Sequence, residues 1–249
     1  MEIDFTTPSV ARMYDYYLGG KDHLEVDRVA AEQVLETFPE IKTMARENRA
    51  FLGRAVRVMR EAGIDQFLDL GTGLPAAGNV HEIAGPEAKV VYVDHDPVVA
   101  AHGRALLENT GAVLLQEDVR QAKTVLAEAA RHLDFDRPVG VLFIAILHFL
   151  PEGAHDLVAT FRERLAPGSF LALTHGTWDE EGDYDGVNVY KRTNAPLSVR
   201  TRKEILDFFG DFEVLEPGLV DVPQWRPELP ELAAQIERLG LSAGVARKP

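Results

Sequence analysis

Three short runs of acid and glycine carry most of the chemistry that can be read from this chain. The first, Phe67-Leu68-Asp69-Leu70-Gly71-Thr72-Gly73-Leu74-Pro75, is an apolar run that ends in Asp-x-Gly-x-Gly. Glycine lets the backbone turn sharply and lets a ligand approach it closely. Pro75 suits the first turn of a following helix. The second, Val90-Val91-Tyr92-Val93-Asp94-His95-Asp96-Pro97, ends in two carboxylates. An acid about 20 residues past a glycine loop commonly accepts from the two hydroxyls of a ribose, and Asp94 is placed for that. Asp96 either joins that site or caps the next helix, with Pro97 in its first turn. The third is Leu115-Gln116-Glu117-Asp118-Val119-Arg120. There Asp118 can accept from the amino group of an adenine and the Val119 amide can meet a ring nitrogen. The alternative for Asp118 is a cap on the helix from Arg120.

Two ligand classes fit the glycine loop. Its spacing also matches Gly-x-Gly-x-x-Ala, a loose dinucleotide fingerprint, so a nicotinamide- or flavin-dependent oxidoreductase is one reading. Charge favours the other. A pyrophosphate wants helix N–H groups and no nearby anion, whereas Asp69, Asp94 and Asp96 crowd this loop. S-adenosylmethionine has no phosphate and carries an ammonium and a sulfonium, so carboxylates around it are favourable. Asp69 can in addition bond the amides of its own loop. Asp69, Gly71, Thr72, Gly73, Asp94, Asp96, Asp118 and Val119 are therefore the expected cofactor residues.

The chemistry needs elements that bring these loops together. Residues 8–63 read as mostly helical. From Lys42 to Ala62, Met44, Phe51, Leu52, Ala55, Met59 and Ala62 recur on one face of a long helix that Gly63 ends. Asn48 sits on that apolar stripe and Arg49 on its flank. Apolar runs at 66–70, 89–93, 112–116, 139–146, 169–174, 212–216 and 241–247 read as seven strands. Helix-like stretches at 76–84, 97–109, 120–132 and 153–165 separate the first five. The alternation predicts an α/β fold with a parallel sheet covered on both faces. Ligands in such sheets bind beyond the carboxyl ends of the strands, where strand order reverses. Residues 176–200, rich in Gly, Asp, Asn and Tyr, form a connection long enough to be a lid or substrate loop.

Forty acidic against 26 basic residues give a net charge of −14 over 249 residues, which disfavours nucleic acid as a partner. The chain has no cysteine, in keeping with a reducing, cytoplasmic setting. The acidic N-terminus lacks the form of a signal peptide, and no apolar stretch is long enough for a membrane span. The eight histidines show no metal-ligand spacing, so no metal is expected.

These features together resemble a class I methyltransferase. A closer resemblance rests on Pro8-Ser9-Val10-Ala11-Arg12-Met13-Tyr14-Asp15-Tyr16-Tyr17-Leu18-Gly19-Gly20-Lys21-Asp22, with Arg46-Glu47-Asn48-Arg49, Leu147-His148-Phe149-Leu150-Pro151 and Ala243-Gly244-Val245-Ala246-Arg247-Lys248-Pro249. Over essentially the whole chain these are similar to the actinobacterial S-adenosyl methyltransferase family, long treated as a domain of unknown function. The resemblance implies a Rossmann-like, seven-stranded, mostly parallel sheet with the last strand antiparallel. It also implies an N-terminal helical cap, here residues 1–63, over a methyltransferase core, 64–249. It places Gly19, Gly20 and Lys21 over the methionine end of the donor, with Lys21 pairing its carboxylate and Tyr14 touching the ligand. The alternative for Gly19 and Gly20 is a helix stop. Arg49 is a second candidate for the donor carboxylate, or a solvated charge.

Methyl transfer is an in-line displacement, so the protein's work is to hold nucleophile and methyl together. A base is needed only for a protonated acceptor. Ala145, near the end of strand 139–146, is a further expected cofactor residue, and His148 just past that strand has the pKa range for a base. His175 lies similarly past the next strand. Either could instead fix its loop by bonding backbone. Trp178, Tyr184 and Tyr190 could line an acceptor pocket, and Trp225 reads as packing. The expected activity is S-adenosylmethionine-dependent methylation of a small molecule. A non-catalytic binder of the same cofactor is the rival, recognisable by a filled space beside His148.

Overall fold

The structure, a computed structural model, describes residues 4–108, 110–177 and 185–249, with the backbone alone for 185–187. Three helices come first: α1 (Val10–Leu18), α2 (Glu25–Thr37) and α3 (Ile41–Glu61). Strands and helices then alternate as β1 (Gln66–Leu70), α4 (Val80–Ala84), β2 (Lys89–Val93), α5 (Pro97–Leu107), β3 (Val113–Leu115), α6 (Ala122–Ala129), β4 (Gly140–Phe143), α7 (Ala154–Arg164) and β5 (Phe170–Gly176). The chain closes with α8 (Asp185–Tyr190), α9 (Arg202–Leu206), β6 (Glu213–Val214), β7 (Val220–Asp221), α10 (Pro230–Ala233) and β8 (Leu241–Arg247).

The sheet runs β3-β2-β1-β4-β5-β8-β6, and β7 also pairs with β8. Strands β1 to β5 are mutually parallel. β8 is antiparallel to β5, and β6 and β7 are antiparallel to β8. The sixth expected strand, 212–216, is a two-residue piece, and Val220–Asp221 continues along the same edge of β8. The described residues thus hold eight strands where seven were expected, in the same architecture. Strand order reverses between β1 and β4, which makes their carboxyl ends the switch point.

Alternation along the strands divides the core. Leu68, Leu70, Val91, Val93, Val141 and Phe143 pack on one face with α6 and α7. Phe67, Val90, Tyr92 and Leu142 pack on the other with α3 and Trp225. Trp225 is fully buried, edge-on to Phe51 at 5.2 Å between ring centres. The packing reading of Trp225 therefore holds. The amphipathic stripe expected of the long helix is also observed, with Phe51, Leu52, Ala55, Val56 and Met59 buried.

A third apolar cluster forms the cap. It joins Met13 and Tyr17 of α1, Ala30, Ala31 and Val34 of α2, Ile41 and Ala45 at the start of α3, and Val189 and Tyr190 of α8. α3 therefore serves two layers, its first turns in the cap and the rest on the sheet. No helix among the described residues is long and apolar enough to cross a membrane.

Candidate active site

One cavity opens between the cap and the carboxyl ends of β1, β2, β4 and β5. Its floor is the glycine loop. Gly71 and Gly73 have φ of 70° and 67°, the left-handed region that β-carbons disfavour. The Gly71 and Thr72 N–H groups donate to the Val93 carbonyl, so β2 anchors the turn. The Asp94 carboxylate accepts from Gly73 N–H and from Asp96 N–H, each at 2.9 Å. Burial pushes the Asp94 carboxyl above its usual range, against these two hydrogen bonds.

Asp69 is not a wall of the cavity. It is buried behind the loop, and burial pushes its carboxyl up to about 6, opposed by Arg49 and Thr72. Asp96 lines the cavity and caps α5 through Val98 N–H at 2.8 Å. Its second oxygen accepts from the Ser9 hydroxyl at 3.0 Å, tying the N-terminal segment to the sheet. Both readings of Asp96 thus meet in one residue.

Val119 lines the cavity and Asp118 does not. Asp118 accepts from the backbone and guanidinium of Arg120, at 2.9 Å to each, and is turned away from the cavity. The acid on the wall there is Glu117, one residue earlier. The cap block also departs from expectation. Gly19, φ 82°, closes α1, with its N–H on the Tyr16 carbonyl, and Gly20 N–H bonds the Asp15 carbonyl. Gly19, Gly20 and Lys21 are absent from the cavity walls, and Lys21 is exposed. The helix-stop reading accounts for this block.

The cap contacts come instead from Tyr14, Asn48 and Arg49. The Tyr14 hydroxyl donates to the Ala45 carbonyl at 3.0 Å and accepts from Asn48 Nδ2 at 2.9 Å. Arg49 donates to the Gly78 carbonyl at 2.9 Å, spanning from α3 to the loop beyond the glycines. Asn48 Oδ1 and Arg49 Nε are buried with no hydrogen-bond partner among the described residues. An orphaned buried polar atom costs on the order of 1–3 kcal/mol. Asn48 was not among the expected cofactor residues. The signal that could have found it is an amide on the apolar stripe of a helix.

The two histidines separate. His175 is fully buried and off the cavity. Its Nδ1 lies 2.7 Å from the Gly176 carbonyl and its Nε2 2.7 Å from the Arg200 guanidinium. The first contact requires a proton on Nδ1 and the second a lone pair on Nε2. Burial holds its pKa at about 4. His175 is thus a neutral, fully bonded structural histidine, not a base. The same Arg200 bonds the Leu147 and Leu150 carbonyls and so fixes the loop after β4.

His148 does line the cavity. Burial, with help from His175 and Arg200, holds its pKa well below the usual value. Its Nδ1 accepts from Gly176 N–H at 3.3 Å, so the neutral ring carries its proton on Nε2. The neutral ring is thus a hydrogen-bond donor at Nε2 rather than the expected base. Ala145, also on the wall, has φ of 55° with its N–H on Thr174 Oγ1 at 2.8 Å. Such backbone in a non-glycine residue costs about 1–3 kcal/mol and clusters at functional sites. Trp178 and Tyr184 lie outside the described residues, while Tyr190 is on the wall. Among the described residues no three acids or histidines gather to hold a metal.

The loop geometry also decides between the two ligand classes. α4 begins only at Val80, and Glu82 already accepts from Gly78 and Asn79 N–H. No free helix N-terminus follows the glycines to hold a pyrophosphate. With a mostly parallel sheet closed by an antiparallel strand, this is a Rossmann-like methyltransferase. The family model for S-adenosyl methyltransferases matches residues 1–249, and the chain belongs to that family. It is similar to a candidate methyltransferase of known structure from Thermobifida fusca YX, at 40% identity and a TM-score of 0.92. That match covers 98% of this chain and 96% of the other. A DUF574 family protein from Streptomyces avermitilis is 35% identical over the full length of both chains, with a TM-score of 0.93. An S-adenosylmethionine-dependent methyltransferase from Mesorhizobium loti, 20% identical, shares the fold at a TM-score of 0.54 over 78% of this chain and 96% of that one. No curated protein matches. The protein is an S-adenosylmethionine-dependent methyltransferase, and the oxidoreductase reading falls.

Proposed function

We propose that the protein methylates a small molecule held under the cap. The donor would lie across Gly71, Thr72 and Gly73, with its ribose on Asp94 and its adenine beside Val119 and Glu117. Its amino-acid end would reach Asn48 and Arg49, with Tyr14 holding Asn48 in place. Residues 1–63 then act as a roof over the core, 64–249. Carrying this reading is the cavity itself, which runs unbroken from the glycine loop past His148 to the cap helices. A non-catalytic binder would have that space filled. The net charge of −14 favours a small acceptor over a nucleic acid.

The donor placement is tested by calorimetry with S-adenosylhomocysteine and 5′-methylthioadenosine, which lacks the amino-acid end. Asn48→Leu is expected to weaken S-adenosylhomocysteine about tenfold, the loss of one buried hydrogen bond, and to leave 5′-methylthioadenosine unchanged. Equal weakening of both, or of neither, would move the amino-acid end elsewhere.

A further inference from the structure

The cap half of the cavity has a different character from the donor half. Tyr17, Val34, Ile41, Met44, Phe149 and Tyr190 form its walls, and they belong to or pack on the apolar cap cluster. Among the described residues lining the cavity there is no lysine, and the guanidinium of Arg49 is turned to the loop at 78. An acceptor bearing phosphate or carboxylate would therefore lose its hydration there without a counter-charge.

The titratable side chains that line this half already hold protein partners. The Tyr17 and Tyr190 hydroxyls meet at 3.4 Å, and burial pushes Tyr190 up to about 12. Asp15 accepts from Asp22 N–H at 3.0 Å and contacts the His23 ring at 3.1 Å. His148 has its Nδ1 lone pair on Gly176 N–H, and its ring is held edge-on by Phe149 at 4.4 Å and His175 at 5.6 Å between centres. Its Nε2–H has no partner among the described residues. Among the described residues, the cap half of the cavity thus offers the acceptor a mainly apolar chamber with the His148 Nε2–H as a neutral donor.

We infer that the acceptor is an apolar hydroxyl compound, a phenol or an enol, whose reacting oxygen is held by the His148 Nε2–H. This rests on the donor placement proposed above. An oxygen has two lone pairs, so one takes the N–H while the other attacks; an amine nitrogen has a single lone pair, which the N–H would block. The donor stabilises the oxyanion, and the hydroxyl proton leaves to water. The oxygen lone pair forms the O–C bond as the methyl C–S bond breaks and its electrons return to sulfur. The products are a methyl ether, S-adenosylhomocysteine and a proton. The sulfonium beside the oxyanion keeps the reacting pair neutral overall, which an apolar chamber favours.

The test is calorimetry on protein saturated with S-adenosylhomocysteine, using 2-naphthol, 2-naphthylamine and 2-naphthoate as shape-matched probes. 2-Naphthol is expected to bind at least about tenfold more tightly than the other two, and to yield 2-methoxynaphthalene when S-adenosylmethionine is supplied. His148→Leu is expected to lose about tenfold in 2-naphthol affinity with S-adenosylhomocysteine affinity unchanged, whereas His148→Gln, which keeps a donor there, retains most of it. Absence of 2-naphthol binding, equal binding of the amine or the carboxylate, or a His148→Gln variant as impaired as His148→Leu would overturn the inference. Failure of the wild type to bind S-adenosylhomocysteine would instead remove the donor reading beneath it.

Discussion

The turns at Gly71–Gly73 and at Gly19–Gly20 look alike in sequence, each a pair of glycines beside acids, yet only the first reaches the cavity. The first follows a buried strand at the switch point of the sheet, so its backbone faces the place where a ligand enters. The second ends a helix of the cap. Gly19 supplies a left-handed φ there, and a β-carbon on Gly20 would collide with the Asp15 carboxylate. Glycine is needed in both for a neighbouring side chain, since a β-carbon on Gly71 would collide with Ile146, but only the first turn also lines the cavity. The element that precedes a glycine pair therefore carries more functional information than the pair.

The largest effect expected to sharpen this contrast is at Asp94, which bonds the turn that lines the cavity. Asp94→Ala is expected to weaken S-adenosylhomocysteine about 100-fold in calorimetry, the loss of two hydrogen bonds to a charged group. Next come the turns themselves. No atom lies within 4 Å of a β-carbon added at Gly73, which lines the cavity, so the space ahead of it is open. Gly73→Ala is expected to cost about 1–2 kcal/mol of stability from its φ and about tenfold in S-adenosylhomocysteine affinity. Gly20→Ala, by displacing Asp15 from Asp22 and His23, is expected to lower the melting temperature by about 4 °C. It should leave that affinity within about twofold. A Gly20→Ala variant that binds poorly while melting normally would break the comparison.

The last effect is read as a pH slope. The Asp69 carboxyl is raised from 3.8 to about 6, so the folded, ligand-free protein holds its proton more tightly than the unfolded chain. Wild-type stability relative to Asp69→Asn should fall as pH rises from 3.8 to about 6 and then level off. A cationic donor favours the ionised form, so wild-type affinity for S-adenosylmethionine should rise through the same window, and that of Asp69→Asn should stay flat. Parallel curves for the two proteins would exclude any coupling of Asp69 to the donor.

Much of the fold was legible because it rests on local patterns. β-Branched runs alternating with helices gave the parallel sheet, and the stripe from Phe51 to Met59 gave the long helix. The sixth strand was less so, because its two pieces are defined by pairing with β8 rather than by their own residues. In the site, Gly71, Gly73 and Asp94 stood out since each lies just beyond the end of a strand. Asp118 misled because an arginine two residues on competes for it, leaving Glu117 on the wall. The role of His175 was hidden because its partner, Arg200, is 25 residues away in the chain. Asn48 was visible as a polar residue on an apolar stripe, but only the fold shows that its amide oxygen is left without a partner.

The central claim is that the glycine turn and Asp94 hold the donor while the cap leaves the acceptor an apolar chamber. A crystal structure of the complex with S-adenosylhomocysteine tests it most directly. The expected result is a ribose with both hydroxyls on the Asp94 carboxylate, the amino-acid end against Asn48, and open space between the sulfur and His148. A ligand whose ribose lies away from Asp94, or whose body fills the chamber lined by Tyr17 and Tyr190, would contradict it.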